Sequence, residues 1–178
     1  LSAPGRARHS SMSWPSSRRR SGTWVRLRSL RIMGGVSRSR LTFHPDGHAV
    51  FAGQVSRAHG GGFASVRHAA LRLGAPDTAG YGLTVCGDGR RYKLTFRLDT
   101  GLDGVNYQAG FQPPAGQWTN IELPLPVFSP SFRGRPVPGA PSLRPEKVCQ
   151  VGFMVADGQV GSFQLAVRSV TALPAPTG

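Results

Sequence analysis

Between residues 91 and 98 apolar and polar side chains alternate: Tyr92, Leu94, Phe96 and Leu98 on one side, Lys93, Thr95 and Arg97 on the other. A period of two marks a strand with one buried face, so the first set is expected in a core and the second facing water. Residues 81–85 repeat the pattern, and Gly87-Asp88-Gly89 between the two runs predicts a hairpin. Further runs at 41–43, 49–55, 63–68, 105–111, 118–123, 148–155 and 163–171 bring the predicted strands to about nine. Val151 and Phe153 join Tyr92, Leu94 and Phe96 as expected core residues. No segment shows a helical period, and 69–73 is too short for more than one turn. Residues 124–145 hold seven prolines and read as an irregular excursion, because proline cannot serve a central strand. Many short strands without alternating helices predict an all-β fold, two packed antiparallel sheets spanning about 37–173.

Composition sharpens this picture in two ways. Gly (24) and Pro (15) are abundant in the 178 residues, which disfavours helices without reaching the level of a disordered chain. The net charge of +14 is unevenly placed. Residues 1–40 hold ten Arg, ten Ser and no acid, whereas 41–178 hold twelve Lys or Arg against eight Asp or Glu. Residues 1–31 are therefore read as a disordered, basic leader, transit-like or mis-translated, with the domain at 32–173 and a tail at 174–178. The leader lacks the apolar stretch of a secretory signal, and no run approaches the ~18 apolar residues of a membrane-spanning helix. No base-reading module accompanies the basic residues, so nucleic acid is not an expected partner.

Candidate chemistry is sparse. The chain has no nucleophile elbow, no phosphate-binding glycine loop followed by a helix, and no carboxylate pair outside Asp-Gly turn sequences. His44-Pro45-Asp46-Gly47-His48 places two imidazoles about a turn but supplies no further ligand, so no metal and no cofactor are expected. Cys86 and Cys149 are read as buried thiols rather than a disulfide. Trp118 would share a strand face with Asn120 and Glu122, either as a platform for a sugar ring or as a cover over the core rim. A non-catalytic binding protein is the expectation, with a carbohydrate-binding module as the competing class.

Eight blocks in order carry a resemblance. They are Met33-Gly34-Gly35-Val36-Ser37, Phe51-x-Gly53-x-Val55-Ser56, Gly61-Gly62-Phe63-Ala64-Ser65-Val66-Arg67 and Gly87-Asp88-Gly89-Arg90-x-Tyr92. Then come Trp118-x-x-Ile121-x-Leu123-Pro124, Phe128-x-Pro130-x-Phe132-Arg133-Gly134-Arg135, Val151-Gly152-Phe153-Met154 and Gly161-x-Phe163-x-Leu165. Over about 32–173 the chain resembles the complex I intermediate-associated protein 30 family. The resemblance implies a galactose-binding-like jelly-roll β-sandwich. It also implies a non-enzymatic assembly factor or chaperone for respiratory complex I (NADH:ubiquinone oxidoreductase). The implied partners are complex I subunits, assembly intermediates and other assembly factors, with membrane association only through those partners. Mitochondrial members set the expected compartment; plastid and bacterial relatives make plastid or cytoplasm the alternatives, with a maturation role for another complex. Members carry Trp and acidic residues ahead of the Met-Gly-Gly block. Here Arg28-Ser29-Leu30-Arg31-Ile32 stands in their place, so the family's first strand is expected to be missing. The partner-binding candidates within the matched blocks are Arg67, Asp88, Arg90, Trp118, Arg133 and Arg135. For Asp88, Arg90 and Arg133 the competing expectation is structural: a braced turn and a braced proline-rich excursion.

Overall fold

The computed structural model describes residues 11–13, 38–58, 62–69, 73–101 and 103–175. Twelve strands follow in chain order: β1 Ser11–Ser13, β2 Arg38–His44, β3 His48–Val55, β4 Ala64–Ala69, β5 Thr78–Cys86 and β6 Tyr92–Arg97. After these come β7 Asn106–Phe111, β8 Trp118–Pro124, β9 Ser129–Phe132, β10 Arg135–Pro136, β11 Gln150–Val155 and β12 Gly161–Pro174. They form two antiparallel sheets, one ordered β2-β3-β12-β5-β8 with β1 alongside β12, the other β10-β9-β7-β6-β11-β4. All nine expected strands are present.

The core lies between the sheets, where the apolar sides of each alternation meet. Tyr92, Leu94, Phe96, Val151 and Phe153 are all buried there, as expected. Tyr81 of the first sheet packs on Phe96 of the second (4.3 Å between centroids), and Phe128 closes on both. Phe51 meets Phe163 at 4.8 Å, and Tyr92 meets Phe163 across the sandwich. Burying such rings dominates the stability of a sandwich of this size.

Four expectations need correction. The glycine-flanked link between β5 and β6 is not a hairpin: the two strands belong to different sheets, and the chain crosses between them. Asp88 makes that corner. Its Oδ1 accepts from the Arg90 N–H (3.1 Å) and the Tyr92 hydroxyl (2.9 Å), and its Oδ2 accepts from the Gln164 N–H (2.9 Å). A Gly-Asp-Gly sequence supplies tight backbone in either case, and only long-range pairing separates a hairpin from a corner.

The proline-rich excursion is likewise not wholly irregular. It contributes β9 and β10 at the edge of the second sheet, where a missing N–H is tolerated. Pro130 sits opposite Tyr107, and its carbonyl accepts from Val137 N–H at 3.2 Å. Leu143 and Val148 then return to cover the core.

One part of the segment read as an unstructured leader is a strand: β1 pairs Ser11–Ser13 with residues 169–171 of β12. β3 ends its pairing with β12 at Val167, so β12 runs on with free backbone groups on that side. Ladder bonds use the backbone, and a Ser-rich segment can make them as well as an apolar one. The remainder of residues 1–31 lies outside the described residues.

The last correction concerns exposure. Thr95 and Arg97, expected in water, are buried, and the cysteines, expected buried, are both half-exposed free thiols. No helix among the described residues is long and apolar enough to cross a membrane.

Candidate functional site

The burial of Thr95 and Arg97 follows from a groove on the outward face of the second sheet. Its volume is about 540 Å³. Four strands contribute the polar side of their alternation: Ser65 and Arg67 from β4, Lys93 and Arg97 from β6, Asn106 and Gln108 from β7, Ser131 from β9, while β11 adds Met154. Register places Arg67 opposite Gly152 and Gly152 opposite Thr95, so the floor dips where β11 carries no side chain. A Cβ on Gly152 would lie 2.5 Å from the Val66 carbonyl oxygen and 2.8 Å from Thr95 Oγ1. Only glycine lets the strands and side chains close up in this way.

Two turns raise the groove walls. Arg133-Gly134 joins β9 to β10, and Asp157-Gly158 follows β11. All four residues have positive φ: 49° and 77° in the first turn, 61° and 69° in the second. Glycine takes this conformation freely, but Arg133 and Asp157 do so at a cost of about 1 kcal/mol or more each. Both are the non-glycine residues of positive φ among the described residues, and both line the groove. Each is tied to a partner. Arg133 Nη2 donates to Asp103 Oδ2, and Lys93 Nζ donates to Asp157 Oδ1 at 3.0 Å. The Arg133 hydrogen bond holds the Asp103 carboxyl below the usual carboxylate range and pushes the Arg133 guanidinium up.

Two guanidiniums occupy the centre. Arg97 is 1% exposed, donates through Nη2 to Asp99, and keeps a buried Nε with no hydrogen-bond partner among the described residues. Gly104 makes room for it, since a Cβ there would run into the guanidinium. Arg67 is half-buried and donates to the neutral Asn106 Oδ1 at 3.1 Å. Burial first, and then the charge of Arg97, lower the proton affinity of Arg67.

The sequence candidates therefore separate. Arg67 and Arg133 line the groove, and Arg135 stands exposed on β10 beside it. Asp88 and Arg90 lie at the inter-sheet corner, where Arg90 donates to the carbonyls of Gln159 (3.1 Å) and Val160 (3.2 Å). Trp118 is on the other sheet. It is 36% exposed, with the Arg168 guanidinium 4.2 Å over its ring and His48 edge-on at 5.3 Å. A ring face already occupied by a cation offers no sugar platform on that side. His44 and His48 stack at 4.5 Å, and the described residues hold no group of three metal-ligating side chains. Sequence reasoning missed Arg57, Lys93, Arg97, Asn106 and Gln108. Their signal was the polar side of the alternation, which marks an outward face but not its curvature.

Sheet order and sandwich geometry define the fold class, a galactose-binding-like jelly-roll β-sandwich. A family 11 carbohydrate-binding module from Clostridium thermocellum, solved with a β-1,3-1,4-mixed-linked tetrasaccharide, superimposes with a TM-score of 0.65. The match covers 97% of this chain and 100% of that one at 12% identity, a likeness of fold alone. An exo-β-agarase structure aligns with a TM-score of 0.54 at 11% identity, over 93% of this chain and 25% of the enzyme. The chain itself belongs to the complex I intermediate-associated protein 30 family, whose model matches residues 17–167. That match begins inside the segment assigned to the leader. An uncharacterized Schizosaccharomyces pombe protein, C9E9.15, is 32% identical over 74 residues, 39% of this chain. The match spans 34% of the length of that relative.

Proposed function

We propose that this protein is a non-enzymatic assembly factor that binds intermediates of respiratory complex I, with the groove of the second sheet as its binding surface. The observation that carries this reading is membership of the complex I intermediate-associated protein 30 family over residues 17–167. The groove supplies cations and hydrogen-bonding side chains on a rigid sheet, and no nucleophile–base pair stands among its lining residues. In this reading the protein draws on no nucleotide. It binds an intermediate through surface complementarity, with Arg anchors, and leaves when a later subunit competes. The compartment of this reading is the mitochondrion, where that complex is built; the plastid and a bacterial cytoplasm belong to the alternative of another complex.

Glycan binding is the competing function that the solved neighbours bring forward. Phe63 is the sole aromatic residue among the described residues lining the groove, which disfavours stacking on neutral sugar rings. Purification through a C-terminal tag from the native organelle separates the readings. Recovery of complex I subunits supports assembly. Recovery of photosynthetic or ribosomal partners, or retention on a glycan array, overturns it.

A further inference from the structure

Among the described residues five cations line the groove (Arg57, Arg67, Lys93, Arg97 and Arg133) against two carboxylates, Asp103 and Asp157. The carboxylates are already engaged by Arg133 and Lys93. Arg57 donates to the Gly158 carbonyl at 3.1 Å. That leaves the central pair. Among the described residues Arg67 hydrogen-bonds a neutral acceptor and feels the Asp99 carboxylate at longer range, while Arg97 has that one half-exposed acid on Nη2 and an unused, buried Nε–H. Burying two guanidiniums near each other is unfavourable unless an anion offsets them, and a buried donor without an acceptor adds to that cost. A planar carboxylate is the group whose geometry matches a guanidinium's paired donors.

The surroundings suit a polypeptide. From β4 to β9 the groove crosses five strands, about 19 Å at the ~4.8 Å spacing of a sheet. Five or six residues of extended chain cover roughly that distance. Asn106, Gln108, Ser65 and Ser131 line it with amide and hydroxyl groups able to pair with peptide N–H and C=O. The scarcity of aromatic lining and the surplus of guanidinium both favour an acidic chain over a neutral sugar. We infer that the groove receives an extended acidic segment of a partner protein, with one carboxylate seated on Arg67 above Arg97. This deepens the assembly reading and rests on it for the identity of the partner.

The test uses the full chain and a fluorescein-labelled decapeptide of alternating Gly and Glu, followed by anisotropy. Saturable binding of the Glu peptide is expected, with the matching Gln peptide weaker by about tenfold or more. Arg67→Gln should weaken the Glu peptide by a similar factor while leaving the melting temperature nearly unchanged, because Arg67 has no buried acid to orphan. Arg97 replacement puts folding at risk, so Asn106→Ala serves as the second variant, with a smaller loss expected. Equal affinity for Glu and Gln peptides overturns the inference, as does binding indifferent to Arg67→Gln. Preference for the mixed-linked tetrasaccharide, or full competition by millimolar inorganic phosphate, also overturns it. Failure here leaves the assembly reading intact if the tagged protein still recovers complex I subunits. Glu-peptide binding through Arg67 without such recovery supports the groove and sinks the complex I assignment.

Discussion

On the outward face of the first sheet, Trp118 lies beneath Arg168 and against His48, and His48 stacks on His44. These groups take each other as partners; His48 is half-buried, and its Nδ1 has no hydrogen-bond partner among the described residues. On the outward face of the second sheet, Thr95, Arg97 and Ser131 are buried although no second layer covers them. Both faces come from the polar side of the same two-residue alternation. The difference lies in the rims: the turns at 133–134 and 157–158 rise beside one face, and nothing comparable is described beside the other. A polar side chain on an open face keeps much of its surface in water, although His48 Nδ1 does not. In a walled groove it is held out of water and left with unused hydrogen-bonding capacity, the condition of a binding site.

The most damaging test removes what both faces share. Phe96→Ala, between Tyr81 and Phe128, should cost about 3–5 kcal/mol in denaturant unfolding. A loss below about 1 kcal/mol would show that the two sheets do not depend on a common core. Next comes the corner that joins them. Asp88→Ala orphans the Tyr92 hydroxyl and the Gln164 N–H, and should cost about 2–3 kcal/mol.

A pair of glycines compares the faces directly. Gly152→Ala pushes a methyl against the Val66 carbonyl in the groove floor and should cost about 1–3 kcal/mol. Gly82→Ala, on the first sheet, places its Cβ at an ordinary 3.4 Å from Leu173. It should change stability by no more than about 0.5 kcal/mol, since relief of glycine's chain entropy offsets small strain. Equal effects would erase the contrast. On the same open face, Trp118→Ala should cost about 0.5 kcal/mol or less by thermal melting and leave groove ligands unaffected.

The smallest effect is a pH dependence at the open face. Burial, followed by the charge of His44, lowers the His48 pKa from its ordinary 6.5. Folding then favours the neutral ring, so its contribution is fully present above pH 6.5 and declines as pH falls below it. A slight drop in melting temperature between pH 8 and pH 5.5 is expected, and it should vanish in His48→Gln.

Alternation alone determined much of this protein. Tyr92, Leu94 and Phe96 declared their strand and its buried side, because a period of two admits one assignment of faces. The glycine and proline content ruled out long helices, and the ordered blocks from Met33 to Leu165 carried the family. What alternation could not express was decided by tertiary structure. Gly87-Asp88-Gly89 reads the same for a hairpin as for a corner, and the choice depended on which sheet Tyr92 joins. Pro130 argued against a strand until a place in β9, beside the two-residue edge strand β10, made its missing N–H harmless. Arg97 looked like a solvated surface residue because its neighbours in the chain say nothing of Gly104, Arg67 or Cys149, which approach it in the fold. Those residues arrive from other strands and turns, and only their convergence turns an outward-facing arginine into a buried one. Local sequence sets which way a side chain points; what stands above it is a property of long-range contacts.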